Sequence, residues 1–475
     1  MAKKPMWQWS AVDTAKAIRS GKASAEEVVD AHIRRMREAN PAINAVVVDL
    51  SEPAAKAAKA ADKALAKGKP IGPLHGVPVT VKINVDVEGQ ANSNGVSAFK
   101  ETIAPADSPV VANLKKAGAI IIGMTNTPEF SMRAFTDNPL HGLTRNPWDP
   151  AITCGGSSGG AGASMAAGIG CIAHGNDIGG SLRWPAFCNG IATIKPTQGR
   201  IPAFNPSAPA ERPLMAQFMS SQGPLARSVA DVALGLEVMA ARDPRDPWWV
   251  PAPLDGPKPA GPLRVAVAKI PSDMDVDRDV LGLVRSAADH LAEAGYDVAE
   301  VEVPDLAGTW QLWADLIMTE LHVLQEKQMR EVAGADFKQT LDSFLSVANL
   351  LDGEGYMRAI AQRSRILRNW LLFLEDYPVV LTPLSVKPTP AVNADLGGAQ
   401  RVKDLFWNDV RFMSSINVLG LPAAVVPVGL LEGKPIGVQL IASRYREDIC
   451  LAAAAAIEHR AGTVVQKLWK RKAAG

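Results

Sequence analysis

The chain is poor in the residues that usually signal a metal, a disulfide or a membrane. Its 475 residues include four cysteines and seven histidines. Cys154, Cys171, Cys188 and Cys450 show no paired ligand spacing, and no HExxH or His-x-x-His pattern occurs. No metal site is therefore expected. The same scarcity fits reduced thiols in a cytoplasmic protein. No uninterrupted apolar run approaches the roughly 18 residues of a membrane-spanning helix. The opening segment, residues 1–10, leads into no apolar stretch of secretory type. An excess of one charge is lacking too, with 50 basic against 49 acidic residues and a net charge of +1. That balance gives no general attraction for nucleic acid or an anionic membrane. Neither a GxxxxGK[ST] loop nor a GxGxxG turn in Rossmann context is present, so no nucleotide cofactor is implied.

What is present is alternation. Residues 10–67 read as helical, with Ser24 and Glu27 spaced as a capping box and an Ala/Lys-rich run after Ala54. Val77–Ile83 reads as a buried strand ending near Lys82. Further strands are expected at 119–122, 172–174, 191–194, 263–268, 296–303, 378–381, 423–428 and 436–441. Helices are expected at 161–170, 228–240, 280–294, 307–333, 354–372 and 448–460. Such alternation predicts an α/β sheet with helices on both faces. The Pro-, Asp- and Trp-rich stretch 241–261 reads as an internal loop, with Trp248 and Trp249 as a lid or a packed surface.

Two serines sit in separate glycine-rich turns: Cys154-Gly155-Gly156-Ser157-Ser158-Gly159-Gly160 and Asp177-Ile178-Gly179-Gly180-Ser181. Glycine lets backbone N–H groups line a concave anion site, suited to a developing oxyanion. A hydroxyl beside such a site is a candidate nucleophile that still needs a base. Lys82, in an apolar strand, would be an odd structural residue, because an unpaired buried charge is costly.

These segments resemble the amidase signature family. The likeness extends through Gly72–Lys82, Gly155–Gly160 and Asp177–Arg183 to the motifs at 195–200, 223–228, 417–423 and 437–440. They occur in the family's order, with Ser157 and Ser181 24 positions apart. The resemblance implies one domain over 1–475, with a central mixed, twisted sheet flanked by helices and 1–67 as its N-terminal helical region. It implies that Ser181 is the nucleophile, that Ser157 bridges after a cis bond from Gly156, and that Lys82 is the terminal base. The N–H groups of Ile178, Gly179, Gly180 and Ser181 would form the oxyanion hole. Ser158 is expected to bond to Lys82 or to backbone near the site. Asp177 would brace the nucleophile turn, and Arg183 would pair with an internal carboxylate. The implied activity is cleavage of a small-molecule amide through an acyl-serine, without metal or cofactor. Ester, hydrazide and cyclic amide cleavage, acyl transfer and a noncatalytic assembly role remain the alternatives. A homodimer suits the family. A base that must be neutral predicts activity best at neutral to alkaline pH.

Three positions depart from the family pattern. Ile83-Asn84 follows the lysine where aspartate is common, Asn176 stands where threonine often precedes the aspartate, and Trp184 follows Arg183 in place of a smaller residue. For the substrate pocket the candidates are Asn126, Glu129, Phe130, Met132, Phe135, Trp184, Phe218, Trp313 and Trp407. Their character suggests a neutral, aromatic or aryl-linked amide. His75, His141 and His174 read as loop or packing residues, and Lys195 as solvated or internally paired.

Overall fold

The computed structural model describes residues 4–474. Eleven strands form one mixed sheet: β1 (Val46–Asp49), β2 (Pro78–Lys82), β3 (Ile120–Thr125), β4 (Ile172–Asp177), β5 (Ala192–Lys195), β6 (Ser221–Ala226), β7 (Arg264–Ala268), β8 (Asp297–Val301), β9 (Val379–Pro383), β10 (Ala423–Leu431) and β11 (Lys434–Ala442). Their order across the sheet is β1-β3-β2-β4-β6-β5-β10-β11-β9-β7-β8. β3, β2 and β4 run parallel, as do β9, β7 and β8. Antiparallel pairings through β6, β5, β10 and β11 join the two groups. Strands from both sides of the 241–261 stretch thus share a single sheet, and that stretch holds no helix or strand.

The local chemistry explains the central strands. β2 is rich in β-branched residues, which suit a pleated, buried surface. Its period of two sends Val79 and Val81 into one apolar core and leaves Thr80 and Lys82 facing the other side. All five of its residues are buried. The helix Gly159–Ala167 consists of Gly, Ala, Ser and Met and is buried along its whole length. Small residues let it lie close to the sheet, and it packs against β4. The expected capping box is present: Ser24 Oγ accepts from Glu27 N at 3.0 Å and Glu27 returns to Ser24 N at 2.8 Å.

Several boundaries differ from the expectation. The region 10–67 is not wholly helical, because β1 lies between the helices Ala25–Ile43 and Ser51–Ala66. The stretch 307–333 is two helices, Leu306–Leu324 and Glu326–Val332, that break at Gln325. The helices Ala335–Val347 and Arg411–Leu419 and the strand β6 carried no expectation. Among the described residues, no helix is long and apolar enough to cross a membrane.

Candidate active site

The site forms where β2 and β4 end. The two strands are parallel neighbours, with Thr80 opposite Ala173, so Lys82 and Asn176-Asp177 emerge side by side. Crevices beyond the carboxyl ends of parallel strands are the usual ligand sites of such sheets. The second contribution is the turn before the helix Gly159–Ala167, which carries Ser157 after a cis Gly156–Ser157 bond. A Cβ on Gly156 would lie 2.6 Å from the backbone of Arg133, Ala134 and Phe135, so only glycine fits there. The third contribution is the turn after β4. Gly180 has φ +120°, and a Cβ there would lie 2.1 Å from Met413 Sδ.

Lys82 is fully buried. Its Nζ donates to Ser157 Oγ at 2.7 Å and to Asn176 Oδ1 at 2.8 Å. Burial drives the Lys82 pKa well below 10.5, opposed only by the Asp177 carboxylate. Asn84 and Asn176 exchange amide bonds, Asn176 Nδ2 to Asn84 Oδ1 at 3.0 Å and Asn84 Nδ2 to Asn176 Oδ1 at 3.2 Å. Neither residue is among the site candidates read from the sequence, although both stand at departures from the family pattern. Ile83 points into the apolar core, 1% exposed.

The turn carrying Ser181 is held by one carboxylate. Asp177 accepts from Gly180 N at 2.7 Å, Leu182 N at 3.1 Å and both Nε and Nη2 of Arg183 at 3.0 Å. Arg183 also donates to Met413 O, Gln439 Oε1 and Asn417 Oδ1 at 2.6–2.7 Å. Burial alone would raise the Asp177 pKa, but Arg183 and the hydrogen bonds hold it well below the usual carboxylate range. Ser158 Oγ bonds to the backbone of Asn176 and does not reach Lys82. Of the four expected oxyanion donors, Gly180 N–H is already committed to Asp177. The N–H groups of Ile178, Gly179 and Ser181 meet no protein acceptor among the described residues.

Ser181 faces a cavity with two unlike parts. The outer chamber, about 950 Å³, is lined by Ser157, Asn176, Asn84, Arg212, Gln217 and others. The inner recess, about 70 Å³, has Trp184, Trp313, Phe344, Phe406 and Met413 in its wall. Ser181, Met132 and Ile178 line both. Trp184 donates to Ala134 O at 3.0 Å and Trp313 to Ile178 O at 2.8 Å, which fixes both rings. Phe130 lines the outer chamber.

The other pocket candidates stand elsewhere. Asn126 is spent on a turn, donating to Gly142 O and Thr144 Oγ1. Glu129 accepts from Gly334 N at 3.0 Å and anchors its segment. Phe135 is packed in the core, 1% exposed. Phe218 lies against Trp248, with ring centres 4.7 Å apart. Trp407 packs on Trp310 and under the Arg411 guanidinium, while its neighbour Phe406 reaches the recess. Trp248 lines the outer chamber, and Trp249 is tied to Ala240 O.

The remaining candidates are structural. All four cysteines are buried free thiols, and burial pushes Cys154 up to about 12 and Cys171 to about 11. Cys171 does have a histidine neighbour that sequence distance hid: its Sγ lies 3.4 Å from His32 Nε2. Burial lowers His32 to about 3, so the pair is neutral. His174 is buried beside Gln222 and lowered to about 4. His75 meets Ala61 O, and His141 meets Ser93. Lys195 is not solvated; it is buried, bonded to Pro196 O, and lowered to about 7 by burial and by Arg183. Among the described residues no cluster of His, Cys, Asp and Glu could hold a metal.

Residues 27–451 match the family profile described as Amidase. Over 98% of this chain and 89% of the relative, it is 66% identical to the indoleacetamide hydrolase of Bradyrhizobium diazoefficiens (strain JCM 10833 / BCRC 13528 / IAM 13628 / NBRC 14792 / USDA 110). It is 32% identical to an acylamidase of Rhodococcus erythropolis over 94% of each chain. Its structure is similar to that of a bacterial aryl acylamidase of the amidase signature enzymes, with TM-score 0.83, 25% identity and 98% of each chain covered.

Proposed function

The chain belongs to the amidase signature family and is an amide-cleaving hydrolase, and we propose that its substrate is a primary arylacetamide of the indole-3-acetamide type, released as the arylacetic acid and ammonia. The observation that carries this reading is the 66% identity over 98% of the chain to an indoleacetamide hydrolase. The aromatic recess beside Ser181 supports it, since Trp184, Trp313 and Phe344 offer flat apolar surface to an aryl group.

In this reading Ser181 is the nucleophile. Neutral Lys82 takes a proton from Ser157 across the 2.7 Å bond while Ser157 takes one from Ser181. Ser181 Oγ attacks the amide carbon, and the oxyanion is held by the free N–H groups of Ile178, Gly179 and Ser181. One such donor is worth about 2.7–4 kcal/mol. The relay returns the proton through Ser157 to the leaving nitrogen, the C–N bond breaks, and water then cleaves the acyl-serine by the same path. Asp177, Arg183, Asn84 and Asn176 position these groups. All of them come from one chain, which favours an enzyme over a noncatalytic assembly subunit. Four buried free thiols suit a cytoplasmic setting.

The test is turnover by the purified chain of indole-3-acetamide, phenylacetamide and acetamide, read as acid and ammonia released. The expected kcat/KM for indole-3-acetamide exceeds that for acetamide by about 100-fold or more, because burying an aryl group adds several kcal/mol of apolar binding. Equal values would overturn the arylacetamide reading. A fluorophosphonate adduct, seen by intact mass and lost in Ser181→Ala, identifies the nucleophile. An adduct that persists in the variant names another serine.

A further inference from the structure

The two parts of the cavity differ in which catalytic serine they reach, and that difference assigns them to the two halves of an amide. On the relay proposed above, the leaving nitrogen must receive its proton from Ser157. Ser157 lines the outer chamber and not the inner recess. The acyl group therefore occupies the aromatic recess and the amine points into the outer chamber. For a primary amide that amine is ammonia, which leaves most of a chamber of about 950 Å³ unused.

The charges lining the outer chamber are almost all committed. Glu320 accepts from Met215 N at 2.8 Å and from the Tyr356 hydroxyl. Asp246 accepts from Ala203 N at 2.7 Å and Trp248 N at 2.8 Å. Arg245 is paired with Asp243 at 2.6 Å. Glu211 is exposed. Arg212 is different: it is half-buried, lines the chamber, and its guanidinium has no hydrogen bond or ion pair among the described residues. Asp246 and Glu211 act on it only from beyond ion-pair distance, and burial lowers its affinity for its proton. A partly desolvated guanidinium with no hydrogen-bonded partner is ready to donate to a carboxylate, which it can grip with two parallel hydrogen bonds.

We propose that the enzyme also cleaves secondary amides in which an arylacetyl group is joined to an amine bearing a carboxylate, with Arg212 as the anchor of that carboxylate. The reaction is amide plus water to arylacetic acid plus amino acid. Ser181 Oγ forms the ester as the C–N bond breaks, the amino group leaves with the proton passed through Ser157, and water releases the acid. The inference rests on the proposed Ser181–Ser157–Lys82 relay.

The test uses N-(indole-3-acetyl) conjugates of glycine, β-alanine, 4-aminobutyrate and 6-aminohexanoate, each beside its uncharged carboxamide analogue. The readout is the kcat/KM ratio of acid to carboxamide within each pair. For the chain length that best spans Ser181 to Arg212, the expected ratio is about ten- to hundredfold, the range of a charge-assisted hydrogen bond. In Arg212→Gln it falls to near one, and Arg212→Lys restores part of it. A ratio near one at every length, or a preference that survives in Arg212→Gln, overturns the inference. So does a wild type that cleaves indole-3-acetamide and none of the conjugates. A wild type that cleaves neither conjugates nor primary amides overturns the underlying amidase reading instead.

Discussion

Two buried cations stand within one site and are treated in opposite ways. Arg183 meets a carboxylate at 3.0 Å through two nitrogens and three further oxygen acceptors. Lys82 meets only the neutral oxygens of Ser157 and Asn176. A guanidinium keeps its charge, so a buried one must be matched. An ammonium can shed its proton, and burial without an ion-pair partner lowers the pKa at which it does so. The compensated cation gives the Ser181 turn a fixed shape. The one without an ion-pair partner supplies the base of the proposed relay. For these two cations, pairing goes with the fixed turn, and the lack of an ion-pair partner goes with the proposed proton acceptor.

The comparison breaks most visibly if the base is removed. Lys82→Met should lower kcat by about 10⁴-fold or more, since members of a catalytic relay act as a unit, while circular dichroism stays native. Retention of a tenth of the activity would mean that Lys82 is not the base. Arg183→Met should act instead on stability, by about 3–5 kcal/mol in a denaturant melt, because it leaves Asp177 buried and unpaired. Adding Asp177→Asn should recover part of that loss, and no recovery would show that the ion pair is not the source. A smaller and finer effect comes from blurring the distinction. Asn176→Asp puts a carboxylate beside Lys82 and raises its pKa. The acid limb of the kcat/KM profile should then move to higher pH, at about a tenfold loss per unit on the acid side. An unmoved limb would assign it to another group.

The subtlest consequence lies in stability. The folded-state Lys82 pKa is depressed below 10.5, so between the two values the unfolded chain binds the extra proton. Lys82 thus makes stability rise with pH through that window. The gain of Lys82→Met over the wild type should shrink as pH climbs towards 10.5, and a pH-independent difference would contradict the assignment.

Much of this was legible in the chain, and the misses share a cause. The strand at 77–83, the loop at 241–261 and the late strands 423–428 and 436–441 carry their own local patterns. β1 does not. It is four residues between two helices, made a strand by pairing with β3. The central groups Lys82, Ser157, Ser181, Asp177 and Arg183 were legible as a motif set; the structure bonds Lys82 to Ser157, pairs Arg183 with Asp177 and puts Ser157 and Ser181 on the same cavity. The recess was legible only in part. Trp184 and Trp313 line it, but Phe344, Phe406 and Met413 come from distant helices with ordinary core patterns. At 406–407 the sequence pointed one residue too far, because neighbouring positions on the helical turn Asp404–Asp409 look in different directions. Asn84 and Asn176 are neutral amides, which composition cannot tell from turn residues.

The four concealed thiols also give the molecule a clock. Cys154 sits at the foot of the turn that carries Ser157, with its sulfur 3.3 Å from Thr144 O, and Cys188 lies in the helix Arg183–Asn189 just after Ser181. Cys450 lies in the helix Glu447–Ala461, which packs on β10 and β11. A chromogenic thiol reagent can reach these sulfurs only when their surroundings open. The order in which they react therefore times the opening of the serine turns against the lifting of the helix Glu447–Ala461 from β10 and β11, without a label added to the chain.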